Sequence, residues 1–460
     1  MAKENLTDTI AAISTPVGEG GIGIVRISGK GAVGIVDKIF VSPAADKPSF
    51  FKTHTTHYGK IIESGKVIDE VILTVMLAPK TYTREDIVEI NCHGGVVALR
   101  DVLELVLKKG ARLASPGEFT KRAFLNGRID LAQAEAVLDI IRAKTDSALR
   151  IGLNQLKGSL SNKLNSCRNI LLDMLGELEA AIDFPEEDDI NTDLRRIADK
   201  NIKAKDMLKA LSDGSRIGRV LREGVHLVIC GKPNVGKSSL LNALVKKERS
   251  IVTPVSGTTR DTIEEIIDIR GIPIRIVDTA GILEPKDLVE KKAIARSRKE
   301  IDAADLVIIL FDGNSKLSRE DFLLINKLKK KTVIAVINKT DLKQKIERGK
   351  ISLVFKDIVA ISAKRLKNIK LLEGKIADLI YGGMVLSPES AEVSNLRHTQ
   401  LIRKAQKSIA RIEKSLDNKL PVEFIAQETR EALGFLDDIL GKRFSAGLLD
   451  KIFSQFCIGK

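Results

Sequence analysis

Tryptophan is absent from the 460 residues, and with three Tyr and fourteen Phe the aromatics reach only 4%. That scarcity argues against RNA recognition by rows of stacked aromatic rings. Cysteine is rare too: Cys92, Cys167, Cys230 and Cys457 stand far apart and form no C-x-x-C pair. A disulfide framework or a zinc site is therefore not expected, and a reducing compartment is. Long apolar runs are missing; the stretch Leu306 to Phe311 is far too short to span a bilayer. The opening Met1-Ala2-Lys3-Glu4-Asn5 leads into no apolar segment of the kind a secretory leader needs. The expectation is a cytoplasmic protein with no membrane association.

Positive charge is in excess. Lys+Arg number 75 against 61 Asp+Glu, a net charge of +14 and a sequence pI near 9.4. Such an excess suits a polyanionic partner or simply a solvated basic surface, and composition does not choose between them. At 43% hydrophobic residues the chain can bury a core. Its length suggests about three domains.

Texture changes along the chain. Residues 1–120 read as β-rich with turns at Gly20-Gly21, Gly94-Gly95 and Pro116-Gly117, and a helix is predicted from Val96 to Lys109, ended by Gly110. Residues 121–223 read as helical, with Leu131, Ala134, Leu138 and Ile141, then Leu171, Leu175, Leu178 and Ile182, at three- and four-residue spacing. This pattern breaks at Asp183-Phe184-Pro185, before an acidic run, Glu186 to Asp189, read as a solvated loop. Residues 224–383 alternate strands (Val225–Cys230, Ile272–Val277, Leu306–Phe311, Val333–Ile337, Ile358–Ile361) with helices, which predicts a parallel sheet covered on both faces. Helical periodicity returns over 384–460. The economical topology is multidomain, α/β and α+β, with the α/β domain inserted between two halves of a helical domain.

Chemistry concentrates in that insert. Gly231-Lys232-Pro233-Asn234-Val235-Gly236-Lys237-Ser238 fits G-x-x-x-x-G-K-[ST] between a strand and an apolar-periodic helix starting at Ser239. In such a P-loop the backbone N–H groups, including that of Val235, wrap phosphates, Lys237 reaches the β- and γ-phosphates, and the Ser238 hydroxyl ligates Mg²⁺. Three more segments follow in order. In Asp278-Thr279-Ala280-Gly281, Asp278 can hold Mg²⁺ through water and the Gly281 N–H can sense the γ-phosphate. In Asn338-Lys339-Thr340-Asp341, the Asp341 carboxylate can accept guanine N1–H and N2–H₂, which selects GTP over ATP. In Ser362-Ala363-Lys364, the Ala363 N–H can meet guanine O6. Thr259, within Gly257-Thr258-Thr259-Arg260-Asp261, can complete the Mg²⁺ shell. The position after Gly281, a water-orienting glutamine in Ras-type enzymes, is Ile282. Asn234 offers a carbonyl suited to a monovalent cation, and Glu290 is a candidate for placing water. Spacing alone favours reading Glu290 as a solvent-facing helix residue among charged neighbours, Lys291 and Lys292.

The insert resembles the TrmE/Era/Septin-like GTPases, and four flanking segments resemble their tRNA-modifying TrmE (MnmE) branch. These are Asp8-Thr9-Ile10-Ala11-Ala12 through Gly20-Gly21-Ile22-Gly23-Ile24-Val25-Arg26-Ile27-Ser28-Gly29; Tyr82-Thr83-Arg84-Glu85-Asp86-Ile87-Val88-Glu89-Ile90 with Cys92-His93-Gly94-Gly95; Pro116-Gly117-Glu118-Phe119-Thr120-Lys121-Arg122-Ala123-Phe124-Leu125-Asn126-Gly127; and the terminal Phe456-Cys457-Ile458-Gly459-Lys460. The resemblance implies an N-terminal folate-binding, homodimer-forming domain and a helical domain carrying the inserted G domain. It implies a partner, MnmG, that carries FAD. Together they add an aminomethyl or carboxymethylaminomethyl group to C5 of the wobble uridine of certain tRNAs. The one-carbon unit comes from a 5-formyl- or 5,10-methylene-tetrahydrofolate. GTP hydrolysis is implied to be stimulated by K⁺ and by G-domain dimerisation. Carried over by motif, K⁺ ligands fall on Asn234, Thr253, Val255 and Thr258, and the water-positioning glutamate on Glu290. Lys237 and Thr259 are the other catalytic residues, and Ser239 joins the GTP contacts. Folate contacts fall on Arg26, Glu89, Arg128 and Lys460, with Arg128 standing where many members have Lys and Leu283 replacing a residue that is often basic. Cys457 is either a reactive thiol at that site or a buried apolar one near the dimer centre. The competing reading is an RNA-binding switch of ribosome assembly, like Era and Der. That reading calls for a KH-type domain or a second P-loop, and neither is visible in the sequence.

Overall fold

The computed structural model describes residues 7–184, 194–245, 265–278, 299–382 and 393–460. Residues 1–138 with 434–460 form one compact unit, and residues 139–433 a second.

The first unit is built on a seven-stranded sheet: β1 (Ile10–Ile13), β2 (Gly23–Ser28), β3 (Phe40–Val41), β4 (Thr55–Glu63), β5 (Lys66–Met76), β6 (Ile87–Cys92) and β7 (Arg112–Leu113), in the order β3-β4-β5-β6-β2-β1-β7. All neighbours are antiparallel except β1 and β7. Alternation sorts the two faces. Val71, Leu73 and Val75 of β5 enter the core with Val25, Ile27 and Ile90, while Glu70, Ile72 and Thr74 face away. The predicted helix forms over Val96–Lys108, with Leu99, Val102, Leu105 and Val106 buried on its inner stripe. The C-terminal helix Ala446–Phe453 packs on the helix Glu118–Leu125. There Leu449, Phe453 and Phe456 join Ala123, Phe124 and Leu131 in one cluster. Each large apolar side chain so buried contributes about 1.5–3 kcal/mol, which anchors the tail to this unit.

The second unit carries long helices, Ser159–Asp183, Leu194–Asp213 and Leu396–Asp417, and a six-stranded sheet. The break predicted at residues 183–185 coincides with the end of the first of these helices; the acidic run 186–189 lies outside the described residues. The strands are β8 (Val225–Cys230), β9 (Glu265–Ile269), β10 (Ile272–Asp278), β11 (Leu306–Asp312), β12 (Val333–Asn338) and β13 (Ile358–Ala360), in the order β13-β12-β11-β8-β10-β9. The sheet is parallel, as the alternation predicted, except for an antiparallel edge strand, β9, that the sequence reading did not include. Both faces are covered: Leu306, Ile308 and Leu310 belong to one apolar cluster, and Val307, Ile309 and Phe311 of the same strand to the other. That explains the uninterrupted apolar runs of β11 and β12. Among the described residues no helix is long and apolar enough to cross a membrane.

Candidate functional site

Chain order places the phosphate motif where a parallel sheet gathers ligands, outside the carboxyl ends of its strands. The P-loop follows β8, Asp278 ends β10 level with Ile229 of β8, Asn338 ends β12, and Ser362 follows β13. The helix after the loop begins at Lys237, two residues before the predicted start. Its first turn presents exposed Ser238 and Ser239, with the helix dipole favouring an anion there. The loop turns through left-handed backbone at Asn234 (φ 63°) and Gly236 (φ 99°). A side chain at Gly236 would run into the Asn338 amide, so only glycine fits. The Lys237 ammonium lies across the loop, donating to the carbonyls of Gly231 at 3.0 Å and Lys232 at 2.9 Å.

The motifs are cross-braced in a way their sequences do not announce. Asn338 is buried; its Nδ2 donates to Val235 O at 2.9 Å and its Oδ1 accepts the Ala363 N–H at 3.0 Å. One amide side chain thus ties the P-loop to the Ser362-Ala363-Lys364 turn. The Ala363 N–H, read from the sequence as a donor for guanine O6, donates here to Asn338. Lys339 bridges in the same manner, donating to Asn234 O at 2.8 Å and pairing with Asp312 at 2.7 Å. Lys232 pairs with buried Asp321 at 2.7 Å, tying the loop to the capping box of the helix Arg319–Leu328. Asp341 remains exposed, its Oδ1 accepting the Ser362 hydroxyl at 2.6 Å. That hydrogen bond, with the field of Arg365 and Lys364, holds its carboxyl below the usual range. It is an ionised, oriented double acceptor, as reading guanine N1–H and N2–H₂ requires.

The exposed Ser238 hydroxyl is an oxygen donor of the kind Mg²⁺ takes. Thr253, Val255, Thr258, Thr259, Thr279, Ala280, Gly281 and Glu290 lie outside the described residues, as do Arg260, Ile282 and Leu283.

The first unit brings its four candidate residues into one neighbourhood. Arg26 and Glu89 are directly opposed on β2 and β6, and Arg26 Nε donates to Glu89 Oε1 at 2.8 Å. Arg26 Nη1 also donates to the Gly459 carbonyl at 3.2 Å, across 433 positions of sequence. The Ser14 hydroxyl donates to that same carbonyl, and the Phe119 N–H donates to the Lys460 carbonyl at 3.2 Å. Gly459 (φ 90°) presses on the Ile13 carbonyl, which leaves no room for a side chain. Arg128 lies over the Tyr82 ring at 4.7 Å, and Arg26 lies 5.7 Å from the Phe119 ring centre. Tyr82 packs with Phe119 and donates to or accepts from Thr120 Oγ1 at 2.9 Å, linking the two arginines. Tyr82 and Phe119 are the contributors the sequence reading did not single out; both lie inside the quoted segments. Cys457 is exposed in the single chain. Burial pushes the thiols of Cys92, Cys167 and Cys230 up to about 12.

Also unannounced is an ion-pair network next to this site. Arg122 is fully buried and pairs with Asp8 at 2.6 Å, Glu118 at 3.0 Å and Glu85 at 3.2 Å, while Arg112 pairs with Asp8 and Glu118. Burial works to raise the Glu118 carboxyl, but Arg112, the Ser115 N–H and Arg122 outweigh it and hold it below its ordinary value.

Two family models match: one described as the MnmE helical domain, over residues 131–457, and one as the GTP-binding protein TrmE N-terminus, over residues 9–128. A tRNA modification GTPase MnmE of Alkaliphilus oremlandii is 46% identical over 459 residues, covering 99% of this chain and 100% of that one. Its counterpart in Carboxydothermus hydrogenoformans is 47% identical over 464 residues, with 99% and 100% covered. Among solved structures, Era of Aquifex aeolicus bound to GDP·AlF4⁻ is 28% identical over 40% of this chain and 65% of its own, with a TM-score of 0.28 that carries no weight here. On the two family models and the full-length identities, the chain belongs to the MnmE (TrmE) family of tRNA modification GTPases.

Proposed function

We propose that this chain is the GTP-hydrolysing component of a complex that adds an aminomethyl or carboxymethylaminomethyl group to C5 of the wobble uridine of certain tRNAs. In this reading residues 1–120 form the folate-binding and dimerisation domain, 121–223 and 384–460 the two parts of the helical domain, and 224–383 the G domain. The chain works as a cytoplasmic homodimer with the FAD-bearing partner MnmG, and its one-carbon donor is a tetrahydrofolate. The observation that carries the reading is the coexistence, in one chain, of a braced P-loop with a guanine-reading carboxylate and a separate Arg26–Glu89 site closed by the C-terminal Gly459.

Within the G domain, Lys237 and the loop N–H groups bind the β- and γ-phosphates, and Asp341 reads the base. A competing adenine would leave the Asp341 carboxylate facing no N–H pair, so the base contact favours guanine. When bound through Ser238, Thr259 and Asp278, Mg²⁺ neutralises phosphate charge. Asn234, with Thr253, Val255 and Thr258, holds K⁺, and Glu290 positions water. In the first unit Glu89 accepts from the pterin's donor edge, and Arg26, Arg128 and Lys460 suit the anionic tail.

Mass spectrometry of wobble nucleosides in tRNA from cells lacking the protein tests this reading. Loss of the C5-modified uridine is expected. An unchanged nucleoside profile together with accumulated immature ribosomal RNA would replace it with the ribosome-assembly reading.

A further inference from the structure

The charge excess is not spread over the chain. Residues 1–138 with 434–460 hold 21 basic and 19 acidic side chains, whereas residues 224–383 hold 31 and 20, eleven of the fourteen excess charges. Within that segment, residues 327–375 hold 15 basic and only 4 acidic side chains. These residues surround the β12–β13 edge of the sheet.

The fold gathers part of this charge on one surface. The loops after β12 and β13 are joined by the Thr340 N–H on Ile361 O at 3.1 Å, by Ser362 on Asp341 and by Ala363 on Asn338. Gln344 secures the first loop by donating to the carbonyls of Lys339 and Leu342. Reciprocal N–H···O bonds between Ser362 and Lys367 pinch the second, whose Leu366 and Asn368 take left-handed backbone (φ 54° and 61°). Lys343 and Lys345 project from one loop, and Lys367 and Lys370 from the other and the helix start beside it; all four are exposed and make no ion pair among the described residues. Neither loop contains an aromatic residue, and their acidic residues are Asp341 and Glu347, the latter paired with Lys350.

We propose that this paired-loop surface at the carboxyl end of β12 and β13 is where the protein holds the phosphate backbone of its RNA substrate. Unpaired cations on braced loops gain affinity by releasing counterions from a polyanion, and they do so without reading sequence. The lack of aromatics excludes base stacking as the mode of contact. The surface adjoins Asp341 and the Ser362–Lys364 turn, so the segment that reads the guanine also carries the RNA contacts.

The proposal rests on the tRNA reading above, and its test separates the two. Two variants of the full chain carry the same loss of charge: Lys343→Gln/Lys345→Gln/Lys367→Gln/Lys370→Gln, and a control with Lys38, Lys47, Lys52 and Lys66 of the first unit each changed to Gln. GTP turnover, expected to match wild type in both, reports that each is folded. Binding of an unmodified tRNA transcript with a wobble uridine is then measured across a salt series. The loop variant is expected to bind at least about tenfold more weakly at low salt and to show a log K against log[salt] slope shallower by about three; the control is expected to behave as wild type. Equal weakening of both variants, or wild-type binding by the loop variant, would overturn the proposal. So would a loop variant that keeps its tRNA affinity but loses binding to vesicles of equal parts phosphatidylglycerol and phosphatidylcholine, which would assign the patch to an anionic membrane. A wild-type protein that binds no tRNA at any salt would instead fault the functional reading itself.

Discussion

The two sites of this molecule are assembled by opposite means. The nucleotide site draws on short contiguous motifs that the parallel sheet sets side by side, and Asn338 and Lys339 stitch them together through backbone carbonyls and an N–H. The Arg26–Glu89 site joins residues from the two ends of the chain, and it exists only because the tail is anchored by Phe453 and Phe456 and by the close fit of Gly459 on Ile13. The first kind of site tolerates distant change and depends on its own loops. The second depends on the packing and ion pairs of its whole unit.

Arg122 offers the hardest test of that difference. Arg122→Ala leaves Asp8, Glu85 and Glu118 crowded without their buried cation, a loss expected to cost about 3–5 kcal/mol. Urea unfolding should show the first unit melting early while GTP turnover at low urea persists. If both fell together, the two sites would not be independently supported. Asp341→Asn strikes the other site. An amide donates where the carboxylate accepted, so GTP affinity should fall by about 10²-fold or more while xanthosine triphosphate gains, and folate binding measured by calorimetry should stay unchanged.

Acid provides a smaller, graded version of the first test. The Glu118 and Asp8 carboxyls are held low in the folded unit, against the pull of burial, by Arg112 and Arg122. Their contribution is complete above the ordinary carboxyl range and is lost as pH falls through the lowered values, below about pH 4. Thermal unfolding should therefore show the first unit losing stability in that window, and Glu118→Gln should flatten the dependence. The smallest effect concerns thiols: brief iodoacetamide treatment of the native protein near pH 8 should label Cys457 and leave Cys92, Cys167 and Cys230 untouched, since burial holds those three near 12. Peptide mapping reads the result.

What could be read from the sequence follows the same division. The P-loop, Asp341 and the strand starts were legible because motif and periodicity are local, and β8, β11 and β12 lie where their apolar runs predicted. Edge strand β9 was not, because its pattern is short and its pairing with β10 is set by the turn at Arg270-Gly271. The bond from the Ala363 N–H to Asn338 was equally hidden, because it depends on where the Asn338 side chain lands once β12 and β13 are paired. Family resemblance named Arg26, Glu89, Arg128 and Lys460, but only the fold shows the Tyr82 and Phe119 rings between the arginines. The spacing of Glu118 and Arg122 on one helix was a visible signal for the buried network. Its other members, Asp8 and Glu85, arrive from distant strand ends.

The central claim is that two separately built sites serve one reaction. Cells lacking the protein can be complemented with Lys237→Ala or with Glu89→Ala, the wobble nucleosides assayed by mass spectrometry, and the purified variants assayed for GTP hydrolysis. Both variants are expected to abolish the C5 modification, with hydrolysis lost in Lys237→Ala and retained in Glu89→Ala. Normal modification with Glu89→Ala would contradict the account.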